Sequence, residues 1–161
     1  MHPTYAAHFT SLAPTDLSTL DACRAIRNYS AHRSCERPRV GQGAFRARLV
    51  SAYGARCAIT GERTEPVLDA AHVQPYLGPR SNHIQNGMLL TEEFHALFDH
   101  GLVTVTPDHV VRVSPRIRDR WSNGRRFYEF DEKPLRVLPD SAAEQPSGDA
   151  LRWHNRRLSV A

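Results

Sequence analysis

The sequence predicts an α+β domain, on three observations. Within residues 67–101 a short strand, a polar loop, a second short strand and an amphipathic helix follow one another. A hairpin signal comes directly after, at 102–113. The chain has 161 residues and is 40% hydrophobic, which allows one modest core and is too apolar for a disordered protein. The expected organisation is an N-terminal helical arm or linker at 1–38 and one domain at 39–158. That domain has its core at 57–101 and a C-terminal extension at 102–158.

Each element has its own signal. Pro14-Thr15-Asp16 reads as a helix start, which places a helix over 17–29 and an extended arm after it. Residues 42–53 carry Phe45, Leu49 and Ala52 or Tyr53 on one face, an amphipathic helix that Gly54 stops. Arg46 and Arg48 lie off that stripe, toward solvent or a ligand. After a turn at Thr60-Gly61, residues 67–73 read as a strand. Period two puts Asp69 and Ala71 on one side of it and His72 on the other. Residues 74–86 are a polar loop with Pro75, Gly78 and Pro79, and Met88, Leu89 and Leu90 form the second strand.

Thr91 is placed to cap the next helix, with Glu92 and Glu93 favourable in its first turn. Phe94, Leu97 and Phe98 form its apolar face, His95 and Asp99 face one way four residues apart, and Gly101 ends it. A hairpin at 102–106 and 109–113 flanks Pro107-Asp108. An arginine-rich stretch with Trp121, Phe127, Tyr128 and Phe130 covers 114–131. One further strand is expected at 133–139 and a loop at 140–149. Last comes a short basic tail at 151–161, anchored by Trp153.

Composition excludes several classes. No run reaches the length of a membrane span, and the first residues lack the basic start and apolar stretch of a secretory signal. The expected compartment is the cytoplasm. Cys23, Cys35 and Cys57 form no CxxC pair, which excludes a four-cysteine zinc site and argues against a disulfide framework. No glycine-rich nucleotide-binding motif is present.

The formal charge is +4 and the pI about 9.3, and Lys133 is the only lysine. Residues 37–56 hold five arginines and no acid, and residues 112–126 hold six arginines against Asp119. Two such segments suit a phosphate-binding rim, and equally suit two solvated faces.

Asp69, His72, Asn86, His95, Asp99 and His100 are the polar residues that could do chemistry. A helix crossing a two-stranded hairpin would bring them together. Carboxylate oxygen and imidazole nitrogen suit a hard or borderline divalent cation, and His95 with Asp99 is a natural helical ligand pair. A histidine outside the metal shell can remove a proton from water at neutral pH.

CAITG at 57–61, LDAAHV at 68–73, NGMLLTEEFHALFDHG at 86–101 and the LVTV that follows resemble the HNH endonucleases. This is the ββα-metal, or His-Me finger, fold, in the branch found in bacterial restriction-type proteins without a zinc clamp. Looser similarity extends over 38–158. The resemblance implies an α+β fold with a ββα-metal core, flanking helices and an additional hairpin. It implies a metal-dependent DNA endonuclease, with a DNA-binding module that has lost cleavage as the alternative.

By position, His72 matches the family's general base and Asn86 the middle asparagine that braces the loop. His95 matches a metal ligand, and Asp99 the additional helical ligand of some members. Ala71 stands where many members have an Asp or His ligand, so Asp69 is the expected substitute, with His100 in reserve. The implied cofactor is one divalent cation, Mg²⁺ first, with Mn²⁺ or Ni²⁺ as alternatives. Of the two CxxC pairs that clamp many relatives only Cys57 is present, so no structural zinc is expected. The expected partner is double-stranded DNA, held by Arg46, Arg48, Arg116 and Arg118. A homodimer would supply one active site per strand.

Overall fold

A computed structural model describes residues 41–159, with side chains up to residue 156. The helix expected over 17–29 and the arm after it lie outside the described residues. The first described element is helix α1 (Gln42–Ala52), which buries Phe45 and Leu49. Each such burial contributes about 1.5–3 kcal/mol. The helix gives way to Gly54 in the left-handed region, as the glycine stop implies.

Strands β1 (Leu68–His72) and β2 (Gly87–Thr91) pair antiparallel, with Asp69 opposite Leu90 and His72 opposite Gly87. Helix α2 (Glu92–Asp99) follows β2 without a gap. Both α1 and α2 pack on both strands. His72 rests on Phe45 of α1, and Asp69 bonds His95 of α2. The strand's alternation therefore turns one set of side chains to each helix. All five residues of β2 are buried, which is why it reads as a continuous apolar run.

Gly87 marks the closest approach of α1 to this hairpin. A Cβ there would lie 2.5 Å from Phe45 Cζ and 2.8 Å from Leu49 Cδ1, so any side chain would push the helix away. Thr91 occupies the N-cap of α2 as expected, but its hydroxyl makes no capping bond. Thr91 is also the last residue of β2, and its Oγ1 is buried without a hydrogen-bond partner.

The second hairpin pairs β3 (Val103–Val105) with β4 (Val111–Val113). Residues 133–139 do not form the expected strand. Pro134 makes only an isolated bridge to Val110, beside bonds from Val111 N to Lys133 O and from Leu135 N to His109 O. A proline has no N–H to give a ladder, which limits the segment to these contacts.

The arginine-rich stretch forms α3 (Arg116–Trp121) and a 3-10 turn, Arg125–Phe130. Phe127 and Phe130 meet Phe94 of α2 edge-on, with centroids 5.5 and 5.3 Å away. The expected tail is helix α4 (Gly148–Ser159). Its anchors are Leu151 and His154, both 0% exposed, whereas Trp153 is only partly buried. No helix among the described residues is long and apolar enough to cross a membrane.

Candidate active site

Strand β1 and helix α2 bring three of the expected side chains together. His95 Nδ1 donates to Asp69 Oδ2 at 2.8 Å, and His95 Nε2 faces Asp99 Oδ2 at 3.5 Å. The register makes the first contact, since Asp69 lies opposite Leu90 just before α2 begins. The helical repeat makes the second, through positions i and i+4. Asp69 Oδ1 also accepts from Ala70 N at 2.8 Å. The bond from His95 is the main reason the Asp69 carboxyl is held down to about 2. Partial burial opposes it, while the His95 charge, the Ala70 amide and the charge of Arg46 assist.

The donor set of two carboxylates and an imidazole suits a hard or borderline divalent cation. As arranged, the carboxylates sit on opposite nitrogens of one ring. No group of three His, Cys, Asp or Glu side chains among the described residues is set to hold a metal ion together. A cation bound here would therefore take His95 through one nitrogen, with the carboxylate on that side.

His72 lies three residues beyond Asp69 on β1. Its ring stacks on Phe45 with centroids 4.3 Å apart and planes 15° from parallel, and it meets the edge of Tyr76 at 5.9 Å. Nε2 donates to Asn82 Oδ1 at 3.0 Å. Asn82 is itself gripped from α1, where Arg48 Nη2 donates to its carbonyl at 2.6 Å.

Asn86 is 1% exposed and ties down the loop between the strands. Its Oδ1 accepts from Gln74 N at 2.9 Å, and its Nδ2 donates to the carbonyls of Gln74 and Ser81. It acts on His72 at one remove, through the loop that carries Asn82.

The remaining expected residues are dispersed. Arg46 is half-buried near Asp69, and its Nη1 is buried without a hydrogen-bond partner among the described residues. Arg48 is exposed but committed in part to Asn82. Arg116 is half-buried at the start of α3, and Arg118 is exposed and paired with Asp119 at 3.2 Å. His100 is exposed at the C-cap of α2, and its side chain forms no ion pair with the cluster.

The sequence reading missed Asn82, Phe45 as a support for His72, and His154. Asn82 is one of several polar residues in the loop, and only the loop's path selects it. The Phe45 stack has a signal in Gly87, which directly follows the matched asparagine and leaves room for the ring.

Residues 57–106 match the family model of the HNH endonuclease. The segment includes Asp69, His72, Asn86, His95 and Asp99, together with β1, β2, α2 and β3. Comparison with curated proteins gives no match. Among solved structures the fold is similar to that of a modification-dependent restriction endonuclease, TagI. The TM-score is 0.50 and the identity 21%, over 71% of this chain and 37% of that one. This chain thus spans little more than a third of that protein's length. The two strands, the helix that follows them and the matched segment together make residues 57–106 similar to the HNH endonucleases.

Proposed function

We propose that this chain is a metal-dependent DNA endonuclease of restriction type. The observation that carries the reading is His95 held between Asp69 and Asp99, with His72 on the same strand as Asp69. When bound at this cluster, a divalent cation supplies positive charge opposite a phosphoryl oxygen and the leaving 3′ oxygen. Mg²⁺ is the first candidate, and Mn²⁺ and Ni²⁺ are alternatives.

His72 carries the proton chemistry. Asn82 Oδ1 fixes a proton on Nε2, which makes Nδ1 the basic nitrogen. That nitrogen takes a proton from the water that attacks phosphorus in line. The Phe45 ring fixes the plane of the imidazole, and Asn86 fixes the loop. The half-buried guanidinium of Arg46 is suited to a phosphate oxygen beside the cluster. Arg48, Arg116 and Arg118 extend the positive surface for backbone phosphates. The products carry 5′-phosphate and 3′-hydroxyl ends.

The substrate proposed is double-stranded DNA. The structural neighbour is named as modification dependent, so modified DNA is included beside unmodified DNA, with methylated plasmid as the probe. Cleavage of supercoiled and methylated plasmids is measured with Mg²⁺, Mn²⁺, Ni²⁺ or EDTA, for wild type and His72→Ala. Metal-dependent cutting that the substitution removes supports the reading. Equal cutting by both proteins sinks the role of His72. DNA binding without cutting on any substrate supports the alternative of a binding module, which the alanine at position 71 favours.

A further inference from the structure

His95 can offer a metal ion only one of its two ring nitrogens, and each nitrogen faces a different carboxylate. Three observations separate the two sides. The Asp69 contact is a formed hydrogen bond at 2.8 Å, whereas the Asp99 contact is longer, at 3.5 Å. Both Asp69 oxygens already have donors, Oδ1 from Ala70 N and Oδ2 from His95. The guanidinium of Arg46 acts electrostatically on Asp69, which opposes a dication placed directly there.

On the Asp99 side the geometry is that of two neighbouring ligands. Adjacent ligands of an octahedral ion with bonds near 2.1 Å lie about 3 Å apart. Nε2 and Oδ2 therefore need only a small adjustment to share one ion.

We infer that Asp69 is a positioning residue rather than a metal ligand, holding His95 Nδ1–H so that Nε2, together with Asp99, takes the cation. The assignment rests on the metal-dependent reading given under the proposed function. Asp69 then does the work of an outer-shell carboxylate. It fixes the tautomer and ring angle of His95 and raises the basicity of the ligating nitrogen. Its strand position makes it a rigid support, since its neighbour's amide and the pairing to β2 hold it from both sides. Arg46 is left beside the cluster as a partner for phosphate.

The test is nitrogen NMR of the histidine rings in the full chain, with and without Zn²⁺ as a diamagnetic probe, alongside Zn²⁺ titration of variants. His95 is expected to keep its proton on Nδ1 in both states, with Zn²⁺ on Nε2. Asp69→Asn is expected to weaken Zn²⁺ binding by tens of fold while keeping the Nδ1 proton. His95→Ala and Asp99→Ala are expected to remove binding at this site. A zinc-bound His95 with its proton on Nε2 overturns the assignment, because Asp69 would then lie on the metal side. The wild-type ring needs no variant to report this. A wild-type protein whose His95 does not respond to Zn²⁺ overturns the metal reading itself, and this role falls with it.

Discussion

Among the described residues two histidines are stacked on phenylalanines, one partly exposed and one fully buried. His72 lies on Phe45 at 4.3 Å and keeps part of its ring at the surface. His154 lies on Phe98 at 3.6 Å with planes 5° apart, and is 0% exposed. His154 Nε2 donates to the carbonyl of Phe98 at 2.9 Å, and its Nδ1 meets the Thr104 hydroxyl at 2.7 Å. Both of its nitrogens face the protein interior, where neither can reach a substrate. Under the proposed function, an aromatic platform does not distinguish the histidine that carries the proton chemistry from a structural one. What distinguishes them is whether the ring borders solvent.

The sharpest way to break this contrast is to truncate each ring in turn. His72→Ala is expected to lower cleavage by about 10²–10⁴-fold, the usual contribution of a general base. Its thermal midpoint should move little. His154→Ala should do the reverse. It leaves a cavity and removes one of two partners from the Thr104 hydroxyl, which keeps Asn155 Oδ1, and from the Phe98 carbonyl, which keeps Gly101 N. A cost of about 2–4 kcal/mol is expected, with cleavage kept below the new melting temperature. Plasmid cleavage and thermal unfolding on both variants decide the matter. A His154 variant as inactive as the His72 variant, while still folded, would erase the distinction.

Gly87→Ala sharpens the His72 side alone. The new methyl group meets Phe45 at 2.5 Å, so the ring must move from beneath His72. A stability loss of about 1–3 kcal/mol is expected, with a fall in cleavage beyond the loss of folded protein. Unchanged activity at full folding would show that the stack is dispensable.

The smallest effect expected is among the arginines. Arg46→Ala should weaken DNA binding more than Arg118→Ala, because Arg118 already shares its charge with Asp119. Filter binding across a salt series, with the slope read for each variant, ranks the two. An equal loss would put both on the same outer rim.

Much of the fold was legible because each core element carries a local signal. The stripe of Phe45 and Leu49 marked α1, and the buried run 88–90 marked β2. Phe94 and Phe98 marked α2, and Pro107-Asp108 marked the second hairpin. Reading failed where a distant partner decides the outcome. The 133–139 segment has strand-like residues, but Pro134 cannot extend a ladder. The tail looked anchored by its tryptophan because nothing local reveals that His154 finds Phe98 and Thr104.

At the site, the identities of Asp69, His95 and Asp99 could be read, and the helical spacing predicted the last pair. The partition of Asp69 and Asp99 between the two ring nitrogens could not, because it follows from the register of β1 on β2. Asn82 stayed hidden for a similar reason, since a loop's path selects one polar residue from several.

The bond from His154 to Phe98 spans 56 positions of sequence, and the bond to Thr104 spans 50. Closing such long loops is entropically unfavourable early in folding, when little else holds the ends together. The β1–β2–α2 unit, by contrast, is assembled from nearer neighbours. Helix α2 should therefore form first with a loose final turn, and stiffen around Asp99 only once α4 arrives. Pulsed hydrogen exchange during refolding reads this order directly, and simultaneous protection of α2 and α4 would refute it. The fold thereby sets a sequence in time, in which a partly folded chain holds its acids and histidines before it can hold them still.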